Sequence, residues 1–264
     1  MNRIDQKFKE LRHKRKKAFI AYLTAGDPDL MTTKELVHAL EGQGVDIIEL
    51  GVPFSDPLAD GLTIQAASQR ALKNNVTPRK ILNLVKQIRE TSCIPIALMT
   101  YYNPVFHFDE IRFVQMAAQS GVDGLIIPDL PPEEAIDLIR ASKKHHMSNI
   151  FFLAPTSSLS RMKTIIDASS GFVYFVSVAG VTGERRTVAA DVLKKVKQAK
   201  SLTTKPVCLG FGLSQPQQIK KAAQVADGVI VGSAIVNQII KNANQEDLVS
   251  KVSRFVRTLT CELD

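Results

Sequence analysis

From Phe19 to about Val236 the chain alternates short apolar runs with longer stretches of helical apolar spacing. Eight runs are strand-sized and rich in β-branched or aromatic residues: Phe19–Thr24, Asp46–Leu50, Pro95–Thr100, Gly124–Pro128, Asn149–Leu153, Phe172–Ser177, Pro206–Leu209 and Gly228–Val231. Between them the spacing predicts helices over Lys34–Glu41, Ile64–Leu72 with Pro78–Glu90, Asp109–Ser120, Glu133–His145, Leu159–Ala168, Val188–Lys200, Gln217–Val225 and Ala234–Asn242. Thr77-Pro78 reads as an N-cap followed by proline at the first helical position, and Ser214 before Pro216 makes a similar opening. A phrase recurs at strand starts: "GVDIIEL" at Gly44, "GVDGLIIPD" at Gly121 and "VADGVIVGS" at Val225. Each time a small residue and an aspartate precede a run apolar on both faces, as buried parallel strands require.

Eight βα units predict a (β/α)8 TIM barrel rather than an open doubly wound sheet. Residues 1–264 are expected to form one such domain, because no linker, low-complexity tract or break in composition interrupts them. An additional N-terminal helix is expected ahead of the barrel, where "KFKELRHKRKK", Lys7 to Lys17, carries much of the +8 formal net charge. A solvated basic face explains that run; no nucleic-acid recognition motif accompanies it, so neither nucleic acid nor membrane is expected as a partner. The overall charge instead favours small anionic substrates. Three scattered cysteines fit neither a disulfide framework nor a zinc knuckle. With no apolar run near the roughly 18 residues of a membrane span and a charged N-terminus, a cytoplasmic protein is expected.

In this fold chemistry sits at the C-terminal ends of the strands. Those ends carry acids, hydroxyls and glycines: Glu49 at the end of strand two, "MTYYNPVF" at three, Pro128-Asp129 at four, "SVAGVTG" at six, "GFG" at seven and "GS" at eight. Loops after strands seven and eight commonly hold phosphate through backbone N–H groups, and Gly183, Gly212, Gly232 and Ser233 would form such a cradle. As turn and cap residues the same positions also have a purely structural explanation.

Alternation along Asp46–Leu50 puts Ile47 and Glu49 on one face, so Glu49 either enters the barrel mouth, poorly solvated and ready to exchange protons near neutral pH, or turns toward water or a loop amide. Asp60 closes a loop restricted by Pro53 and Pro57 and precedes a helix start at Gly61-Leu62-Thr63. It either caps that helix or faces the same mouth as an ionised partner to Glu49. No lysine stands at a strand's C-terminal end, which disfavours a Schiff-base mechanism, and no histidine spacing suggests a metal. Acid–base chemistry by carboxylates, with no metal and no cofactor in this chain, is the expectation.

Together "ELGVPFSDPLADG", "MTYYNP", "LIIPDLP", "VAGVTG", "GFGLS" and "DGVIVGSAIV" resemble the tryptophan synthase alpha subunit family, in order from about Ala18 to Val236. The resemblance implies retro-aldol cleavage of 1-C-(indol-3-yl)glycerol 3-phosphate to indole and D-glyceraldehyde 3-phosphate. By the same resemblance Glu49 is the proton-shuttling carboxylate and Asp60 accepts the indole N–H hydrogen bond. Tyr174 is an active-site tyrosine and Thr182 steadies the aspartate. Tyr22, Leu98, Thr100, Leu125, Ile127 and Phe211 wall the indole, and Gly183, Gly212, Gly232 and Ser233 hold the phosphate. Leu62 stands where the family usually has proline, and Val178 where many members carry a larger or basic residue.

"VPFSDP" and "YNPVF" would expose Phe54, Val105 and Phe106 as an apolar patch on the loop side, either for a docked protein or as lids folded over the site. The resemblance implies a tryptophan synthase beta subunit there, in an α2β2 heterotetramer, holding pyridoxal phosphate and receiving indole. Phe54, Asp56, Asn103 and Pro104 would meet it. The rival readings are another phosphate-binding barrel lyase or isomerase, and a non-catalytic regulatory barrel that binds a phosphate ligand.

Overall fold

The computed structural model describes residues 2–177, 190–210 and 212–263. Among these, nine parallel strands run as β1 (Ala18–Thr24), β2 (Ile47–Gly51), β3 (Ile96–Met99), β4 (Gly124–Ile126), β5 (Ser148–Ile150), β6 (Phe152–Leu153), β7 (Val173–Val176), β8 (Val207–Gly210) and β9 (Gly228–Val231). They are ordered β5-β4-β3-β2-β1-β9-β8-β7-β6. The two ends of that ladder, β5 and β6, are neighbours in the chain with only Phe151 between them, so the sheet closes into a barrel. The expected strand Asn149–Leu153 is therefore divided: its first part pairs with β4 and its second with β7.

The helices are α1 (Arg3–His13), α2 (Leu30–Glu41), α3 (Leu62–Lys73), α4 (Pro78–Arg89), α5 (Tyr102–Phe108), α6 (Glu110–Ser120), α7 (Ile136–Lys144), α8 (Leu159–Ala168), α9 (Ala190–Ser201), α10 (Pro216–Ala223), α11 (Ser233–Asn242) and α12 (Leu248–Thr260). None is long and apolar enough to cross a membrane. Helix α4 shows the local logic: Thr77 accepts the Lys80 N–H, Pro78 occupies the first turn, and Ile81, Val85 and Ile88 form its buried stripe. At α10 the cap is Gln215 rather than Ser214, and Gln218 Oε1 accepts both of their N–H groups at 3.1 and 2.8 Å.

Two apolar layers result. Residues of one parity along each strand pack outward against the helices, among them Leu23, Ile48, Leu98, Leu125 and Val229. Residues of the other parity fill the barrel: Ala18, Ile20, Ile47, Ala97, Ile126, Ile150, Cys208 and Ile230. Helix α1 is basic only on its outer side. Ile4, Phe8 and Leu11 lie on one face and join the interior layer, with the Phe8 ring 5.8 Å from that of Phe172. Burying three such side chains contributes on the order of 5–9 kcal/mol before ordering costs, so α1 is part of the barrel's core.

The recurring aspartates share a physical role. Asp46, Asp123 and Asp227 each accept, through a carboxylate oxygen, the N–H of a residue on the neighbouring strand: Phe19 at 2.9 Å, Ile96 at 2.9 Å and Val207 at 3.1 Å. Each also donates its own N–H to the carbonyl of that same residue, which clamps the adjoining strand at its start. Basic side chains then neutralise the acids: Lys7 for Asp46, Arg3 and Arg89 for Asp123, and Lys17 and Lys200 for Asp227.

Candidate functional site

At the opposite, C-terminal end of the strands the interior parity changes from aliphatic to polar. Tyr22 on β1 and Glu49 on β2 are register partners, and Ala97 on β3 lies opposite Glu49 on its other side. Glu49 is only 1% exposed, and neither carboxylate oxygen has a hydrogen-bond partner among the described residues. The sequence reading that sends Glu49 into the mouth therefore holds over the one that turns it to water. Loss of hydration, reinforced by the nearby Asp60 charge, pushes its pKa up to about 8. Gly51, next on the same face, leaves room for the Tyr22 ring, which would collide with any side chain there.

Asp60 does not cap α3. Gly61 holds the N-cap position, and its carbonyl accepts the N–H groups of Ile64 and Gln65 at 3.0 Å each. The Asp60 backbone is instead held from both sides, its N–H on the Pro57 carbonyl at 3.0 Å and its carbonyl taking the Gln65 side-chain amide at 2.8 Å. Its carboxylate is half-buried, and burial lifts its pKa to about 6 against the opposing effect of a hydrogen bond with the Tyr101 phenol. At pH 7 the pair is thus split, Glu49 protonated and Asp60 ionised.

Tyr174 on β7 is buried in the mouth, its ring 4.7 Å from that of Phe152. Burial raises its phenol's pKa, and the charges of Glu49 and Asp60 add to that rise. A Cβ at Gly210 would stand 2.6 Å from Tyr174 Cε1, so that glycine makes space for the ring. Gly212 has φ +74°, and no atom of the described residues lies within 4 Å of where its Cβ would stand. Gly232 is the N-cap of α11 and Ser233 its first residue; among the described residues no side chain caps this terminus, which suits its N–H groups to an anion. Gly232 lies against the Tyr22 Cβ at 3.4 Å from where its own would be, so the anion-holding elements stand beside the tyrosine, with the carboxylates beyond. Thr182, Gly183 and Phe211, together with Val178, fall outside the described residues.

Several expected positions are corrected. Leu125, Leu98 and Ile127 pack in the outer layer between sheet and helices, because they have the outward parity. Their neighbours Ile126 and Met99 face the interior, and Met99 also packs beside Tyr22. Thr100 is buried, with its hydroxyl donating to the Tyr101 carbonyl at 3.2 Å. "YNPVF" forms helix α5 rather than an open loop; Val105 is fully buried beneath it, whereas Phe106 is 67% exposed. Phe54 is half-buried and stacked on Tyr101, with ring centroids 5.3 Å apart. Asp56 and Asn103 are exposed, Pro104 is half-buried, and Leu58 and Leu62 are each 84% exposed on the same loop side. Tyr101 and Gln65 were missed as site residues. For Tyr101 a signal existed, since Ala97, Met99 and Tyr101 share the parity of Glu49's strand partner.

No group of three or more metal-ligating side chains occurs among the described residues. The model of the family described as tryptophan synthase alpha chain matches residues 8–262. Curated relatives carrying that name include one from Geotalea daltonii, 48% identical over 98% of both chains, and one from Caldanaerobacter subterraneus subsp. tengcongensis, 47% identical with the same coverage. Among solved structures, the tryptophan synthase subunit alpha from Legionella pneumophila superposes with a TM-score of 0.93 at 37% identity, covering 100% of this chain and 99% of that one.

Proposed function

This chain belongs to the tryptophan synthase alpha chain family, and we infer from the mouth of its barrel how it performs the family's reaction. The enzyme is a carbon–carbon lyase that cleaves 1-C-(indol-3-yl)glycerol 3-phosphate into indole and D-glyceraldehyde 3-phosphate. Its buried, unpartnered Glu49 beside the ionised Asp60 is the observation that carries our assignment of roles.

Breaking the bond between indole C3 and the glycerol side chain requires a proton at C3 and removal of one from the adjoining hydroxyl. Glu49 is protonated at neutral pH and donates to C3, leaving a carboxylate. The positive charge that develops at the ring nitrogen is stabilised by Asp60 accepting the indole N–H. The Glu49 carboxylate then takes the hydroxyl proton, the electrons of that O–H bond form the aldehyde, and those of the carbon–carbon bond return to the ring. One proton moves from oxygen to carbon, and Glu49 ends protonated as it began. Tyr22 and Tyr174 flank the ring, and the phosphate rests at Gly212, Gly232 and Ser233, with Thr182, Gly183 and Phe211 completing the site by family resemblance.

The partner in this reading is a beta subunit that holds pyridoxal phosphate and receives the indole, in an α2β2 assembly. Exposed apolar side chains support it: Phe106, Leu58 and Leu62 are exposed on the loop side that also carries Phe54, Asp56, Asn103 and Pro104, as a docked protein would need. Indole release from indole-glycerol phosphate by the purified chain, with and without a beta subunit, tests the reading. Undiminished release by Glu49→Gln would reject it.

A further inference from the structure

Beyond the two carboxylates, one side chain connects the elements that hold Asp60. Tyr101 follows β3 with the inward parity and is buried. Its phenol oxygen accepts the Ala59 N–H at 2.9 Å, and the same hydroxyl stands close enough to Asp60 to favour the ionised form of its carboxylate. Its ring is stacked on Phe54, with the planes 29° apart. Its own place is fixed from behind: the next residue, Tyr102, donates its N–H to Asp129 Oδ1 at 2.9 Å, joining the end of β3 to the end of β4. The loop that carries Asp60 is thereby tied to a rigid strand end through the backbone amide that precedes it, with the same hydroxyl beside the carboxylate.

We propose that Tyr101 is a positioning residue for the reaction: it aims the Asp60 carboxylate at the indole N–H and holds it there in its ionised form. The proposal rests on the function given above and deepens it. Among the described residues, the other titratable groups facing Asp60 are Glu49 on β2, Tyr22 on β1 and Tyr174 on β7. With their raised proton affinities all three are uncharged at pH 7, so none compensates the anion. The Tyr101 phenol beside it favours the anion, and burial is the effect it opposes. A hydrogen bond to a charged group also matters more than a neutral one, particularly where water is scarce.

Tyr101→Phe tests this with the ring stack intact. In the full chain its kcat for indole formation is expected to fall roughly ten- to hundredfold, the range of one charge-assisted hydrogen bond. The acid limb of its kcat/KM profile is expected to move to higher pH, because Asp60 loses the donor that favours its anion. A 13C-carboxyl NMR titration of Asp60, which needs no turnover, is expected to show the same upward movement. If kcat falls while both the limb and the titration stay at their wild-type positions, Tyr101 is merely structural and the proposal is overturned. If the wild-type chain forms no indole, the functional reading fails, and the titration still decides whether Tyr101 governs the Asp60 proton.

Discussion

Asp60 raises the proton affinity of Glu49 across the mouth of the barrel, yet remains the stronger acid of the two, the pair titrating at about 6 and about 8. The difference arises from burial: Glu49 is closed off with no hydrogen-bond partner among the described residues, whereas Asp60 is half-buried beside the Tyr101 phenol, which favours its anion. The mechanism uses Asp60 ionised and Glu49 protonated. Below about pH 6 the first condition fails, and above about pH 8 the second does. A bell-shaped kcat/KM profile for indole formation is therefore expected, with its plateau between those values. A rate that keeps rising through pH 9 would be incompatible with Glu49 entering the cycle as an acid.

Glu49 should also leave a signature in stability. Its pKa rises from 4.5 to about 8 on folding, so between those values the native state holds a proton that the unfolded chain has released. Stability then falls as pH rises through that window, by up to about 1.4 kcal/mol per pH unit, and levels off above it. Glu49→Gln removes this dependence. Urea denaturation is expected to show the variant gaining on the wild type from pH 5 to pH 8, while indole formation drops by about a hundredfold or more. A stability difference that does not vary with pH would mean that Glu49 is ionised in the native protein.

How much of this could be read from the sequence depended on parity and on what hides an apolar face. The alternation along Asp46–Leu50 put Ile47 and Glu49 on one face but left Glu49 free to enter the mouth or turn to water, and the recurring aspartates were visible as a phrase whose strand-clamping role needed coordinates. At β3 and β4 the motifs were legible but the register was not: displacing a strand position by one residue exchanges its two faces, which is how Leu125 was expected where Ile126 stands. In α1 the surrounding lysines and arginines obscured Ile4, Phe8 and Leu11. The segment "YNPVF" was placed on the loop side, yet it forms α5, because Pro104 falls in the first turn, where the backbone N–H has no helical acceptor.

That register correction can be tested by exchanging consequences between neighbours. Met99 packs against Tyr22 at the mouth, and truncating it to alanine is expected to raise KM for indole-glycerol phosphate by about tenfold, the range of a lost apolar contact in a pocket. Leu125→Ala opens a cavity in the outer layer instead and is expected to cost about 2–5 kcal/mol of stability. Its KM should remain near that of the wild type. Steady-state kinetics paired with denaturation separates the two, and a reversed pattern would restore Leu125 to the indole wall.

At the far end of the barrel the three clamping aspartates should differ in their importance for stability. Asp123 is 2% exposed, accepts the Ile96 N–H, and pairs with Arg89 at 2.9 Å and Arg3 at 3.0 Å. Its replacement by alanine strands both the buried amide and the partly buried Arg89, a loss of about 3–5 kcal/mol. Asp46 has a more exposed side chain and meets Lys7 only at 3.8 Å, so Asp46→Ala loses chiefly its hydrogen bond to Phe19, about 1–2 kcal/mol. Urea denaturation of the two variants is expected to rank them in that order, while both keep wild-type kcat below their unfolding transitions because the clamps lie at the strand starts. Equal losses would mean that the arginine pairing adds nothing to the clamp, and a fall in kcat would show that strand starts and strand ends are not mechanically separate.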